Sequence, residues 1–502
     1  MKKIKLISVA VISAVLLISC DSIFNFDKNQ NFLKPLPEDS FYAQNISTGS
    51  YYIVKANHLY SGTQCEVWAE NGSGVTLARA KEIAEKYDTI IRPRIVGEFS
   101  KKNFYVNSLN KTEYKEGSPT DQKLYFDDIL DYANWLAGRD DGKLTILLLD
   151  IRDGYTPGGS YVAGYFFNGN FNPQGKIPGY NHYSNGRDMI YIDTYPGLQT
   201  SNIEVTYATF AHELQHLINY ATTRLLDRRY SDTWIDEGLS AWAEYLYFGD
   251  NPVDKYRYFI EDRAGTIARG NNFFVWGNHT NENPDSILDE YSTVYLFFRW
   301  LYLQAAEKGL HNEFFYKIIT SQYYDYRAVT GTAEQINGEW GTWENLLRTW
   351  LAANFYPQNP HYGYKGDNDL MHALMNNTEE RLLLSQSSIQ LYPGEGVYSR
   401  ISGSFSLPAG SGENIRYAGL TNTSAINTVP SYTGNTLLTF NSSNNLAKNQ
   451  EKGYLTGNGF NISRTLTGGA QTVEINRPFV LDARDVLGRN RSKDLPVFRP
   501  EQ

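Results

Sequence analysis

Hydrophobic and polar positions fall into three textures along the 502-residue chain. The first is strand-rich. Tyr51-Tyr52-Ile53-Val54-Lys55 and Cys65-Glu66-Val67-Trp68 are β-prone runs broken by Ser61-Gly62, which predicts a hairpin or strand pair. Leu77, Ala80, Ile83, Ala84 and Tyr87 then recur at helical spacing behind Thr76, a suitable N-cap, so 75–87 is expected to be a helix. Residues 90–96 read as extended, 100–120 as polar loop and 121–136 as a second helix. KLTILLLDI (143–151) is a continuous apolar run of the kind that fills the middle of a parallel sheet. Two more strand patterns, 161–167 and 189–193, flank a loop rich in Gly, Asn and Pro.

The second texture is helical. Apolar residues recur at helical spacing over 207–223, 232–249, 286–307, 311–319 and 343–355, with Leu288, Tyr291, Val294, Phe298 and Leu301 on one face of the third. Beyond about residue 380 this periodicity fades. Gly, Ser, Asn and Thr dominate, and alternating patches such as Ile389-Gln390-Leu391-Tyr392 recur, predicting a separate β-sandwich-like domain. The expected fold is therefore α+β. A first unit over 46–379 combines a mixed sheet with a central helix and a helical second half, and a β-rich domain covers 380–502.

Composition changes this picture little. Hydrophobic residues make up 41% and charged residues 20%, enough apolar material for sizeable cores. The net charge of −9, with no basic run, argues against a nucleic-acid partner. The 2 cysteines, Cys20 and Cys65, exclude a disulfide framework, and Cys65 reads as a small core residue.

The N-terminus carries an address. Lys2, Lys3 and Lys5 precede an apolar stretch of signal-peptide length that ends in Leu17-Ile18-Ser19-Cys20. This resembles a bacterial lipobox, whose cysteine becomes the lipidated first residue of the mature chain. Residues 1–20 are thus expected to be a lipoprotein signal peptide and polar residues 21–45 a tether. The body would then sit outside the cytoplasm, anchored through Cys20 to the cell membrane or outer membrane.

Candidate chemistry concentrates in residues 206–245. His212-Glu213-Leu214-Gln215-His216 is an H-E-x-x-H motif. Four residues on a helix turn about 40°, so both imidazoles face one metal ion, and Glu213 sits beside them within reach of a metal-bound water. Zinc needs a third protein ligand and an open position. Glu237, among Trp234, Ile235, Leu239 and Trp242, can supply it. Glu244 shares its helix face and is the rival ligand, or else it orients a ligand histidine from behind, a part for which Asp236 is the weaker candidate. Of the 8 histidines, His182 precedes the motif in a loop that can line a cleft; His58, His279, His311, His361 and His372 have no motif context. No D-x-[DN]-x-[DN]-G calcium loop is present.

His212-Glu213-x-x-His216, together with Trp234-x-Asp236-Glu237-Gly238-x-Ser240, resembles the gluzincin class of metallopeptidases. With Gly164-Tyr165-Phe166 and Met189-Ile190-Tyr191-Ile192-Asp193, the pattern over residues 50–355 is similar to the hyicolysin-type peptidases of bacteria. The resemblance implies a thermolysin-like fold, one Zn2+ ion and a protein or peptide substrate. It implies His212, His216 and Glu237 as ligands and Glu213 as general base. Tyr291 resembles the gluzincin tyrosine that serves the oxyanion, with Tyr295 as the alternative. The G-x-M-E-N exopeptidase motif is absent, which favours an endopeptidase over an exopeptidase of the same fold. An inactive surface adhesin on a peptidase scaffold is the reading outside enzymology, and the intact quartet His212, Glu213, His216 and Glu237 argues against it.

Overall fold

The apolar run noted above becomes the middle of the main sheet. The computed structural model describes residues 36–454 apart from 107–113, 118–123, 158–160, 200–202, 252–255, 257–258, 261–272, 275–286, 377–387, 402–403, 406–407, 421–426, 429–431, 434–435 and 445–450. Its N-terminal part runs β1 (Ser40–Gln44), β2 (Tyr51–Ser61), β3 (Cys65–Glu70), α1 (Leu77–Lys86), α2 (Arg92–Phe99), β4 (Phe104–Val106), β5 (Tyr114–Glu116), β6 (Leu124–Phe126), α3 (Ile129–Leu136), β7 (Leu144–Leu149), β8 (Gly164–Phe166), β9 (Gly175–Lys176), β10 (Tyr183–Ser184) and β11 (Met189–Asp193). Six of these strands form a mixed sheet in the order β1-β2-β3-β7-β11-β8. β7 runs parallel to both of its neighbours, and β8 closes one edge antiparallel to β11.

Every residue of β7 is buried, as its uninterrupted hydrophobicity requires. Side chains alternate between the two faces of the sheet. Val67, Ile146, Leu148, Phe166, Ile190 and Ile192 belong to the core shared with the helices. Trp68, Leu147, Leu149, Tyr165 and Tyr191 form a second core with Phe41 and Val54.

The helix α4 (Ile203–Leu225) lies on the first face, against β8 and β11, with α2, α3 and α5 (Thr233–Phe248) packed around it. It is buried on nearly every side, which explains its many apolar positions outside a single stripe. Gly164 lets β8 come this close, because a Cβ there would stand 2.9 Å from Thr209 Cγ2 of α4. α5 is fixed at its start by Trp234, whose ring sits among Phe273, Phe274, Phe297, Phe298 and Trp343. It ends at Gly249, in the left-handed region with φ 75°, while Arg94 of α2 donates to the free carbonyls of Leu246 and Tyr247.

The long helix α6 (Ile287–Glu307) packs on α5 at Gly238. A Cβ at Gly238 would meet Phe298 Cδ2 at 2.3 Å and Val294 Cβ at 3.3 Å. Gly238→Ala must therefore push α6 away, and we expect it to cost about 1–3 kcal/mol. Thermal denaturation checks this, and an unchanged Tm contradicts it. The chain continues through α7 (Phe314–Ile319), α8 (Tyr326–Ala333), α9 (Trp343–Phe355) and α10 (Asn368–Asn376). After them the described residues include a four-stranded antiparallel sheet that contains Gly396–Arg400, Ile415–Leu420 and Thr436–Asn441.

Several sequence expectations need correction. Residues 90–96 are helical: a π-helical turn over Tyr87–Ile91 leads into α2, which buries Ile91, Ile95, Val96 and Phe99 at helical spacing. Pro93 is accommodated because it lies in the first turn. The stretch 100–120 contains β4 and β5, which join β6 in a three-stranded sheet, and α3 begins only after Asp128, whose carboxylate accepts from Leu130 and Asp131 N–H. Ser40–Gln44, assigned to the tether, is a fully buried strand of the main sheet. The C-terminal sheet does not stand apart from the helices. Tyr398, Ala418, Leu420, Leu438 and Phe440 join the main core, and the Tyr398 hydroxyl donates to Leu351 O of α9 at 2.7 Å. Its other face carries a small separate cluster including Leu391, Val397 and Tyr417. Residues 1–35, with the signal segment, Cys20 and most of the tether, lie outside the described residues, as does His279.

Candidate metal centre

The site forms where α4 crosses α5. Two turns of α4 place His212 and His216 side by side, their ring centroids 4.7 Å apart. Glu237, in the second turn of α5, faces both: its Oε2 is 3.4 Å from His212 Nε2 and 3.6 Å from His216 Nε2. These three residues form the one group of metal-binding geometry among the described residues, with ligand atoms all within 4.8 Å of one another.

The donor set fits a metal on independent grounds. Glu237 is 1% exposed, and its carboxylate oxygens make no hydrogen bond of ordinary length, only the 3.4 and 3.6 Å contacts to the two imidazoles. A buried carboxylate is costly unless positive charge stands before it, protonated imidazoles or a metal ion. Two nitrogens and one carboxylate match the catalytic pattern of borderline-soft ions, which leaves a fourth position open.

Each imidazole is oriented from behind. His212 Nδ1 lies 2.8 Å from Glu244 Oε1, and Glu244 is not one of the three residues whose ligand atoms converge. His216 Nδ1 lies 2.9 Å from Asp236 Oδ2 and 3.1 Å from Ser240 Oγ. Asp236 is itself held by Asn219 Nδ2 at 2.5 Å and by the Tyr230 hydroxyl at 3.0 Å. Sequence reasoning weighed Asp236 as the weaker candidate for this position and did not single out Asn219, Tyr230 or Ser240, which the structure brings to the same group. The available signal was their spacing, since Asn219 is one turn beyond His216 and Ser240 one turn beyond Glu237. Removing such a partner typically weakens metal binding by about 10–100-fold. We expect that loss in both Glu244→Gln and Asp236→Asn, read by competition with a chelator; unaltered affinity in both contradicts the assignment.

The electrostatics show what happens without a metal. Burial disfavours a charged His212, but the facing carboxylates of Glu237 and Glu244 outweigh it and raise its pKa from 6.5 to about 9. His216 is likewise pushed well up: burial opposes the charge, and Asp236 and Glu237 more than offset it. Burial would raise Glu237, yet the imidazoles of His216 and His212 hold it below the usual carboxylate range. A histidine whose folded pKa exceeds 6.5 adds stability below pH 6.5 that is lost as pH rises through about 9. Metal-free protein should therefore melt at a lower temperature at about pH 9.5 than at about pH 6.5, whereas bound metal requires neutral imidazoles and narrows the difference. A flat Tm for the metal-free protein across that window contradicts this.

Glu213 is buried beside the histidines and points toward β8, where the backbone N–H of Phe166 faces its carboxylate. Burial raises its pKa, while the charges of His212 and His216 work the other way. Tyr291 lies on α6 and is 9% exposed. Tyr295 is fully buried and its hydroxyl donates to Asn251 Oδ1 at 2.6 Å. His182 packs against Tyr51 and Phe167, with the second core on the far face of the sheet, and does not line this site. His58 is beside Trp68 of that same core, and His311 stands against Tyr302.

A mixed sheet thus carries a buried H-E-x-x-H helix on one face, with a glutamate delivered by the next helix, and the chain resembles a metallopeptidase of the hyicolysin-like kind in sequence. In particular, it is similar to "Neutral metalloprotease ShpI" of Staphylococcus hyicus, with 29% identity over 275 residues, 53% of this chain and 51% of that protein. The chain thus spans about half the length of this curated relative. No family model matches it.

Proposed function

We propose that the chain is a zinc-dependent metalloendopeptidase with a thermolysin-like catalytic unit. The observation that carries this reading is the convergence of His212, His216 and the buried carboxylate of Glu237. The similarity to a metalloprotease supports it. A single zinc ion held by the trio would supply Lewis acidity towards a scissile carbonyl and towards water. Glu213 takes the proton from the attacking water and passes it to the leaving amine, and its raised pKa favours that transfer near neutral pH. Glu244 and Asp236 keep the two imidazoles in the tautomer that leaves Nε2 free. The edge strand β8, antiparallel to β11 and adjacent to Glu213, offers its free side to an extended peptide, which would add as a further strand. Tyr291 is the candidate donor to the developing oxyanion.

The address is part of the same proposal. Cys20 carries lipid and holds the enzyme at the cell membrane or outer membrane, with the catalytic unit outside the cytoplasm. Among the described residues, no helix is long and apolar enough to cross a membrane. Cys20→Ala should release the protein from membranes; retention on them contradicts the anchor.

Incubating zinc-loaded and chelator-treated protein with an unstructured protein, and sequencing the products by mass spectrometry, tests the activity. Internal cuts that vanish on chelation are expected. Trimming confined to the ends would replace the endopeptidase by an exopeptidase. No cleavage at all by zinc-loaded protein would leave a binding scaffold.

A further inference from the structure

The loop that joins α4 to α5 carries a chain of polar side chains that ends on the support of His216. Asn219 of α4 is fully buried, and Ser231 and Asp236 are each 5% exposed. Asn219 Nδ2 donates to Asp236 Oδ1, and Asn219 Oδ1 accepts from the Ser231 hydroxyl at 3.1 Å. Behind Ser231 stands Arg228. Its Nη2 reaches the Ser231 oxygen at 3.5 Å and the carbonyl of Ile319, the last residue of α7, at 2.8 Å. Its Nη1 donates to Arg229 O at 2.7 Å, so the guanidinium is held from two sides.

The two ends of this chain fix the direction of every bond in it. An arginine only donates and a carboxylate only accepts. Ser231 therefore accepts from Arg228 and gives its own proton to Asn219. That leaves Asn219 with its amide N–H towards Asp236; turned round, the amide would set two oxygens against each other. Tyr230 adds a second donor to Asp236, on the oxygen that faces His216 Nδ1 at 2.9 Å. Held at both oxygens, the carboxylate cannot swing away from the ring. The Ser240 hydroxyl, 3.1 Å from the same nitrogen, gives its proton to Gln215 Oε1, so it too only accepts there. Both neighbours of Nδ1 thus require the proton on that nitrogen, which leaves the Nε2 lone pair for the metal position.

We propose that Asn219, aligned by Ser231 and Arg228, is a positioning residue for the metal centre: through Asp236 it locks the His216 ring with Nε2 aimed at the metal position. This rests on the metal-dependent reading of the site. Asp236 directly precedes Glu237, so one short stretch of α5 both supports one ligand and supplies another. The chain fixes that stretch to α4 at the residue three beyond His216, and through Arg228 to the end of α7. If these bonds served only to tie the loop to the helices, their loss would lower stability and leave the metal untouched.

The test compares metal-free wild type, Asn219→Leu and Ser231→Ala by zinc titration against a chromophoric chelator, at a temperature where each is folded by circular dichroism. Asn219→Leu should bind zinc about tenfold more weakly, and Ser231→Ala about threefold more weakly. Should Asn219→Leu not fold, Ser231→Ala, the smaller change, carries the comparison. The same substitutions are then placed on Asp236→Ala, where the chain has nothing left to position. There each should change the affinity by less than about twofold, because residues that act as one unit are not additive. Loading with Co2+ gives a second readout, since its visible absorption follows the arrangement of the ligands, and the bands should shift in Asn219→Leu. An equal loss of zinc affinity with and without Asp236 overturns the positioning role. So do zinc affinity and cobalt bands that stay unchanged while thermal stability falls. Wild type that binds no zinc overturns the metal centre and the positioning role together. Zinc binding with the expected pattern but no peptide cleavage sinks the peptidase reading and keeps the positioning role.

Discussion

On the proposed mechanism, Glu213→Gln is expected to lower the rate of peptide hydrolysis by about 100-fold to 10,000-fold, the contribution of a positioned general base, with zinc binding retained. The substitution preserves the size and shape of the side chain and removes only its ability to hold a proton. Glu213 is not among the three groups that converge on the metal position, so the ligand set stays intact. Its carboxyl is buried and its pKa is raised, so it sits nearer neutrality than an exposed glutamate and is well matched to accept and return a proton. Comparing kcat with bound zinc in the same preparation separates the two roles. A variant that loses zinc along with activity would make Glu213 a structural residue, and a variant with full activity would remove it from the chemistry.

Glu237→Ala has the second large effect, and it acts through the metal. The carboxylate is buried against both imidazoles and has no other partner to hold it. Its loss leaves two nitrogens, which is too few for the four-coordinate site that zinc prefers. Metal affinity should fall by more than about 100-fold, the upper end of the loss caused by removing an outlying partner such as Glu244. Activity at limiting zinc falls with it. Stoichiometric zinc retained by Glu237→Ala after dialysis would transfer the third ligand elsewhere, and Glu244 would be the first residue to test.

How much of this was legible in the sequence depended on how local each signal is. His212 and His216 lie four residues apart on one helix, so their convergence follows from helical geometry alone. Glu237 was legible because its apolar neighbours Trp234, Ile235 and Leu239 required the helix to be buried. Gly238 makes sense only in three dimensions, since it is Phe298 from α6 that leaves no room for a Cβ. The misreading of 90–96 has a similar origin. Ile90, Ile91, Ile95 and Val96 are β-branched and locally favour a strand, but packing of α2 against α4 and α5 wins over propensity. Ser40–Gln44 looked like tether because its polar approach masked a short strand whose partner, β2, lies just beyond.

The central claim is that one zinc ion at His212, His216 and Glu237 drives peptide hydrolysis. Its most direct test is a titration of zinc into metal-free protein, following bound metal and the cleavage of an unstructured protein together. The account predicts that activity rises in step with bound zinc and breaks at one ion per chain. Cleavage that proceeds at full rate before any zinc is added, or a fully loaded protein that cuts nothing, would contradict it.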